Sequence, residues 1–165
     1  SWSKSGNAGV PFVTKTAESN LWAAMREALK IFRADLHYTR IENSVSDGFP
    51  DVEMQLLVDG ISYHATTELK TAHRPAHSDT PVAVKIRPGQ IPWLRKRWNV
   101  RGSAWLLLQV GSGRELARYL IPGNLAGEVS EGRTEKWLAD NSVCQPKDPL
   151  DRIARIACTW RSHEP

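Results

Sequence analysis

Between Glu18 and Phe32, the apolar residues Leu21, Trp22, Met25, Ala28, Leu29 and Phe32 recur at helical spacing, which predicts an amphipathic helix over 18–32. A short strand follows at 36–41, then a polar loop, NSVSDG, that ends at Phe49-Pro50. The next twenty residues change period. Val52, Met54, Leu56 and Val58 alternate with largely polar residues, Leu57 excepted, as do Ile61, Tyr63, Ala65 and Leu69, and the two runs flank Asp59-Gly60, a dipeptide that favours a two-residue type I′ turn. With Val58 paired to Ile61, counting outward places Asp51 opposite Glu68. One face of the hairpin is then apolar. The other carries Asp51, Glu53, Gln55, Ser62, His64, Thr66, Glu68 and Lys70.

Residues 71–88, rich in His, Pro and basic side chains, read as a long loop of the kind found over binding sites. Pro88-Gly89 leads into a predicted helix at 90–99. The run SAWLLLQV at 103–110 is nearly continuously apolar, as a strand buried on both faces requires. A Gly-Ser-Gly turn and a strand at 114–121 follow, with two short helices expected around 133–140 and 149–158. The pattern predicts an α/β fold with an αβββαβ core, a mixed central sheet flanked by helices, and C-terminal helices. At 165 residues and 41% hydrophobic, the chain is expected to form one domain: an extended arm over 1–15, a core over 18–121 and a C-terminal helical extension over 122–165.

Composition narrows the class. No apolar run approaches the roughly 20 residues needed to span a bilayer, and SWSKSGNAGVPF has no apolar secretory core, so a cytoplasmic protein that is not secreted is expected. Cys144 and Cys158 match no metal-binding spacing and are expected to be buried or half-buried thiols. The net charge of +4 is unevenly spread: residues 70–101 hold eight Lys and Arg against the single acid Asp79. Such a segment is either a solvated face or a footprint for phosphates. Its candidate contacts are Arg74, Lys85, Arg87, Arg95, Lys96, Arg97 and Arg101, with His73 and His77 as further donors.

Two carboxylates opposed on adjacent strands repel unless something compensates. A hard divalent cation does so, since Mg²⁺ takes one or two carboxylates together with waters and phosphate oxygens. Lys70 projects from the same face as Glu68. The alternative is a solvated strand face on which Lys70 partly neutralises the acids.

Pro50-Asp51, sixteen intervening residues across a hairpin, and Glu68-Leu69-Lys70 together resemble the signature of the PD-(D/E)XK nuclease superfamily, which has the restriction-endonuclease-like fold. The likeness covers roughly Glu18 to Ile121, and it gains weight from the placement of the signature between an acidic helix and a helix followed by a buried strand. It implies that Asp51 and Glu68 bind Mg²⁺, or Mn²⁺ in its place, that the Leu69 carbonyl joins them, and that Lys70 positions or deprotonates the attacking water. Glu18 is similar to the extra acid many members supply from the first helix, although the helix dipole alone favours an acid near an N-terminus. Gln90 is similar to a glutamine that some branches place at the start of the following helix, where simple capping is the alternative. Glu27 is read as an exposed partner of Lys30, and Glu42, Glu53 and His64 as lying outside the core of the site.

The chain looks like the Holliday-junction-resolvase and VRR-NUC branches, which occur in cells and phages. That implies a metal-dependent endonuclease acting on branched DNA, in a bacterial or phage-infected cell, as a homodimer that cuts two strands symmetrically. The competing expectations are a nicking, repair or restriction-type nuclease or an exonuclease of the same fold, and a non-catalytic DNA-binding module.

Overall fold

The alternating runs around Asp59-Gly60 close into an antiparallel hairpin, β2 (Val52–Val58) and β3 (Ile61–Ala72). The computed structural model describes residues 13–41 and 48–164. Asp59 and Gly60 take φ of 49° and 78°, the left-handed pair that a type I′ turn demands, and the register runs from Val58↔Ile61 to Val52↔Thr67. Asp51 stands one step before β2, facing Glu68.

β1 (Leu36–Arg40) adds antiparallel to β2. α2 (Gln90–Asn99) carries the chain from β3 to β4 (Ala104–Val110), which runs parallel to β3, and β5 (Ala117–Pro122) returns antiparallel. The sheet order is β1-β2-β3-β4-β5. With α1 (Val13–Leu29) in front, the expected α/β class, mixed sheet and αβββαβ order are all present. No helix among the described residues is long and apolar enough to cross a membrane.

The core explains why the site lies where it does. On one face, Leu21, Met25 and Leu29 of α1 and Ile153, Ala154 and Ala157 of α5 (Leu150–Thr159) bury Val52, Met54, Ala65, Leu69, Trp105 and Leu107. On the other, Leu106, Leu108, Tyr119 and Ile121 of β4 and β5 are covered by Val82, Val84 and Ile86, by Val129 of α3 (Ala126–Glu131) and by Leu138 of α4 (Glu135–Asn141). β4 is therefore apolar on both sides, as its unbroken run requires. Glu68 and Lys70 pair with Leu106 and Leu108 on this second face, so the polar side of the hairpin meets the edge of an apolar layer and its charges are buried there.

Several expectations change. α1 starts at Val13 and ends at Leu29, and a 3-10 turn, Lys30–Asp35, kinks at Arg33 (φ 50°). The end of the expected arm is thus helical, while residues 1–12, Glu42 and the loop through residue 47 lie outside the described residues. The segment read as a plain loop over 71–88 continues β3 to Ala72 and then buries alternate residues, with the Val82 N–H donating to the Arg133 carbonyl. The alternation Val82, Val84, Ile86 was the overlooked signal. α5 is part of the main core: the Trp105 indole N–H donates to the Ala157 carbonyl at 2.8 Å. Cys144 and Cys158 are buried free thiols, and burial pushes the Cys158 thiol up to about 12.

Candidate active site

The hairpin leaves β3, at 12 residues, five longer than the 7-residue β2, so beyond Thr67 its outer backbone edge has no strand partner. Asp51 fills that gap. Its Oδ2 accepts the Leu69 N–H at 2.9 Å, and the Asp51 N–H donates to Glu68 Oε2 at 3.1 Å. This reciprocal clasp fixes the opposed acids that the hairpin register predicts.

Glu68 is 1% exposed, Lys70 7% and Gln90 4%. Lys70 Nζ lies 3.3 Å from Glu68 Oε1. The Gln90 amide N–H donates to the same oxygen at 2.7 Å, while its Oε1 accepts the Arg87 N–H at 3.2 Å. Gln90 makes contacts of both expected kinds: its amide N–H holds Glu68, and its Oε1 ties the incoming loop to the helix start. Burial, with the Asp51 charge alongside and against the pull of Lys70, pushes the Glu68 carboxyl up to about 8.

Glu18 joins this group. Its carboxyl is raised by burial, lowered by Lys70, raised by Asp51 and lowered again by Arg40 and Arg87, so it shares their electrostatic environment. Because α1 begins at Val13, Glu18 lies beyond the first turn, and the helix dipole does not account for it. The structure therefore brings Glu18, Asp51, Glu68, Lys70 and Gln90 together. Among the described residues no three His, Cys, Asp or Glu side chains converge tightly enough to form a metal cluster by themselves.

Arg40 escaped the sequence reading. It occupies an inward position of β1 in series with Leu36 and Tyr38, lies 5.2 Å from the Trp22 ring and keeps a buried Nη1 without a hydrogen-bond partner. A basic residue in the apolar phase of a strand was the available signal. Glu53 and His64 bond to each other at 3.0 Å on the same hairpin face, and Glu27 pairs with Lys30 at the surface.

The basic residues divide. Lys85, Arg87, Arg95, Lys96 and Arg101 are exposed. Arg74 is forked onto Glu135 at 2.7 and 2.9 Å and donates to the Glu115 carbonyl, which makes it a strut between the end of β3 and α4. Arg97 lies 4.6 Å over the Trp93 ring, which in turn packs on Phe49 at 5.0 Å.

No protein-family model and no curated protein matches the sequence. Among solved structures, the chain is similar to Hjc of Archaeoglobus fulgidus, described as a Holliday junction resolvase from an archaeal hyperthermophile. The two share 12% identity at a TM-score of 0.48, over 86% of this chain and 98% of that one. A likeness at this level concerns the general path of the chain, and the site rests on its own geometry.

Proposed function

We propose that this chain is a divalent-metal-dependent nuclease that hydrolyses phosphodiester bonds in DNA, with branched DNA as its substrate and a homodimer as its working form. The observation that carries the reading is the buried clasp of Asp51 and Glu68 with Lys70 and Gln90 closed around it.

The donor set suits Mg²⁺ or Mn²⁺. It consists of hard oxygens from Asp51 and Glu68, with Glu18 beside them. The Leu69 N–H points at Asp51, and the carbonyl of a strand residue points to the same side as its N–H, so the Leu69 carbonyl faces this edge as well. When bound, the metal activates water and neutralises charge on the phosphate. Burial of Glu68 beside a second carboxylate favours such a cation, because each acid raises the cost of ionising the other.

The remaining work falls to the chain's own groups. The clasp through Leu69 and Asp51 holds both carboxylates on rigid backbone. Gln90 orients Glu68 by occupying one lone pair of Oε1, which makes it a positioning residue. Lys70, anchored by the same oxygen, presents its ammonium to the attacking water and the phosphate. Exposed Lys85, Arg87, Arg95, Lys96 and Arg101 contact phosphates without reading bases, a mode that selects DNA by shape.

The test is a labelled panel of four-way junction, flap, linear duplex and single strand with Mg²⁺, Mn²⁺ or EDTA, using wild type and Lys70→Ala. The expected result is paired cuts near the branch point, dependent on metal and absent in the variant. Cutting of a different member would replace the substrate assignment and keep the chemistry. Tight binding with no cleavage under either metal would overturn the nuclease reading. Light scattering of the free protein checks the dimer.

A further inference from the structure

We propose that Phe49, Trp93 and Arg97 form a stacking site for one unpaired nucleobase beside the acid pair. The inference takes its ligand class from the nuclease reading and adds a base-binding site that a phosphate-only mode of contact would lack.

The three side chains pack in series: the Phe49 and Trp93 ring centroids are 5.0 Å apart with planes tilted by 55°, and the Arg97 guanidinium carbon lies 4.6 Å from the Trp93 ring centre. All three are half-buried, so the stack is braced by the protein and keeps part of its surface open to solvent. Its place in the chain ties it to the chemistry. Phe49 directly precedes Pro50-Asp51. Trp93 lies three residues after Gln90 on α2, hence on the same side of the helix as the amide that holds Glu68.

Two glycines preorganise it. A Cβ at Gly48 would sit 3.0 Å from the Gly89 carbonyl oxygen and 3.4 Å from Trp93 Cβ, tighter than ordinary contact, so a side chain there would push the segment carrying Phe49 a few tenths of an ångström from the start of α2. A Cβ at Gly102 would fall 2.4 Å from Arg97 Cδ, so the arginine stem runs across bare backbone on its way to the Trp93 ring.

The comparison with Arg161 shows what is unusual here. Arg161 also lies over an indole, that of Trp98, but it donates to the Trp98 carbonyl at 2.8 Å and pairs with Glu164, as a structural brace does. Arg97 makes no ion pair or hydrogen bond to another described side chain, although it is part of the basic segment. Charge decides the occupant. Exposed Arg95, Lys96 and Arg101 lie within four residues of Arg97 along the chain, a local positive charge that disfavours an apolar protein partner and suits a base that arrives with phosphates on either side. A base inside a duplex already has both π-faces covered by its neighbours, so an aromatic platform of this kind takes a nucleotide that is unpaired or extruded.

The experiment places 2-aminopurine, whose fluorescence is quenched by stacking, at an unpaired position in a short single strand and at a paired position in a duplex, with wild-type protein in EDTA. Wild type is expected to quench the unpaired probe and leave the paired one unchanged. Trp93→Leu should abolish the quenching and weaken single-strand binding about ten-fold, with duplex affinity held within about two-fold. Trp93→Phe, which keeps a π-face, should retain the quenching and so guards against misfolding as the cause. Absence of quenching by wild type, or an equal loss of single-strand and duplex affinity in Trp93→Leu, would overturn the proposal. Metal-dependent cleavage without quenching would sink the stacking site alone, whereas quenching without cleavage under any metal would support the stacking site and sink the nuclease reading.

Discussion

The buried carboxyl of Glu68 makes the stability of the metal-free protein depend on pH in a way that can be worked out beforehand. Its pKa rises from the ordinary 4.5 to about 8, chiefly through burial and then through the Asp51 charge, so the folded state holds a proton that the unfolded chain has released. A group whose folded pKa is raised contributes stability that is complete below the unfolded value and is lost as pH rises through the folded one. The loss should therefore run from about pH 4.5 to about pH 8. At about 1.4 kcal/mol for each pH unit, that interval amounts to about 5 kcal/mol, a large share of the stability of an ordinary domain. Glu68→Gln resembles the protonated side chain and keeps an oxygen for the Gln90 amide, so it should remove this component. Urea unfolding in EDTA at a series of pH values, with wild type and Glu68→Gln side by side, reads the effect of Glu68 together with the neighbours coupled to it, Asp51 and Lys70, against the titration of the rest of the chain. The variant's stability relative to wild type should rise between pH 5 and pH 9, on top of a pH-independent loss, because its amide oxygen can accept from Gln90 or from the Asp51 N–H but not from both. Added Mg²⁺ should restore wild type at pH 9 and leave the variant unmoved. A constant difference between the two proteins across the whole range would refute the reasoning.

Other consequences follow from the same structure. Arg74→Gln removes the fork on Glu135, whose carboxyl that arginine holds below its usual range; the pair stabilises the fold above the ordinary carboxylate pKa, and the contribution fades as pH falls, so the variant should lose stability at neutral pH and approach wild type in acid. In DNA-binding titrations, Arg74→Gln should leave the salt dependence unchanged, while Lys96→Gln should reduce its slope by about 1. Gly60→Ala should cost about 1 kcal/mol through the backbone alone, since φ is 78° and no atom lies within 4 Å of the added Cβ; Gly60→Asn should cost visibly less in the same thermal melts. Trp105→Leu should cost about 3 kcal/mol in urea unfolding, because it empties core volume and leaves the Ala157 carbonyl unpaired.

The hairpin, with Asp51 facing Glu68, was legible because every determinant of its register is local. Period-2 alternation fixes the faces, and Asp59-Gly60 fixes the turn, so the pairing follows by counting. The same holds for α2, whose bounds at Gln90 and Asn99 follow from Pro88-Gly89 and the helical spacing, and for β4, whose apolar run leaves no polar face to expose. Local order also explains why Lys70 could be assigned to the side of Glu68.

Other features depended on what distant segments bury. That Glu68 is almost wholly shielded arises because the segment carrying Val82, Val84 and Ile86 folds back over β4 and β5 and leads into the helix whose Gln90 sits on its carboxylate. No spacing within the hairpin encodes that cover. Arg40 was likewise hidden: its meaning comes from packing against Trp22 and from the charge of Glu18, which lie on a helix far away in sequence. Among the basic residues, composition supplied a positive segment, but only the fold separated Arg74, tied to Glu135 from α4, from Arg97, laid over Trp93 beside the site. Periodicity and turn chemistry act between near neighbours and can be read from the chain, whereas burial, charge pairing and stacking are set by which remote surfaces meet, and the tertiary structure alone decides that.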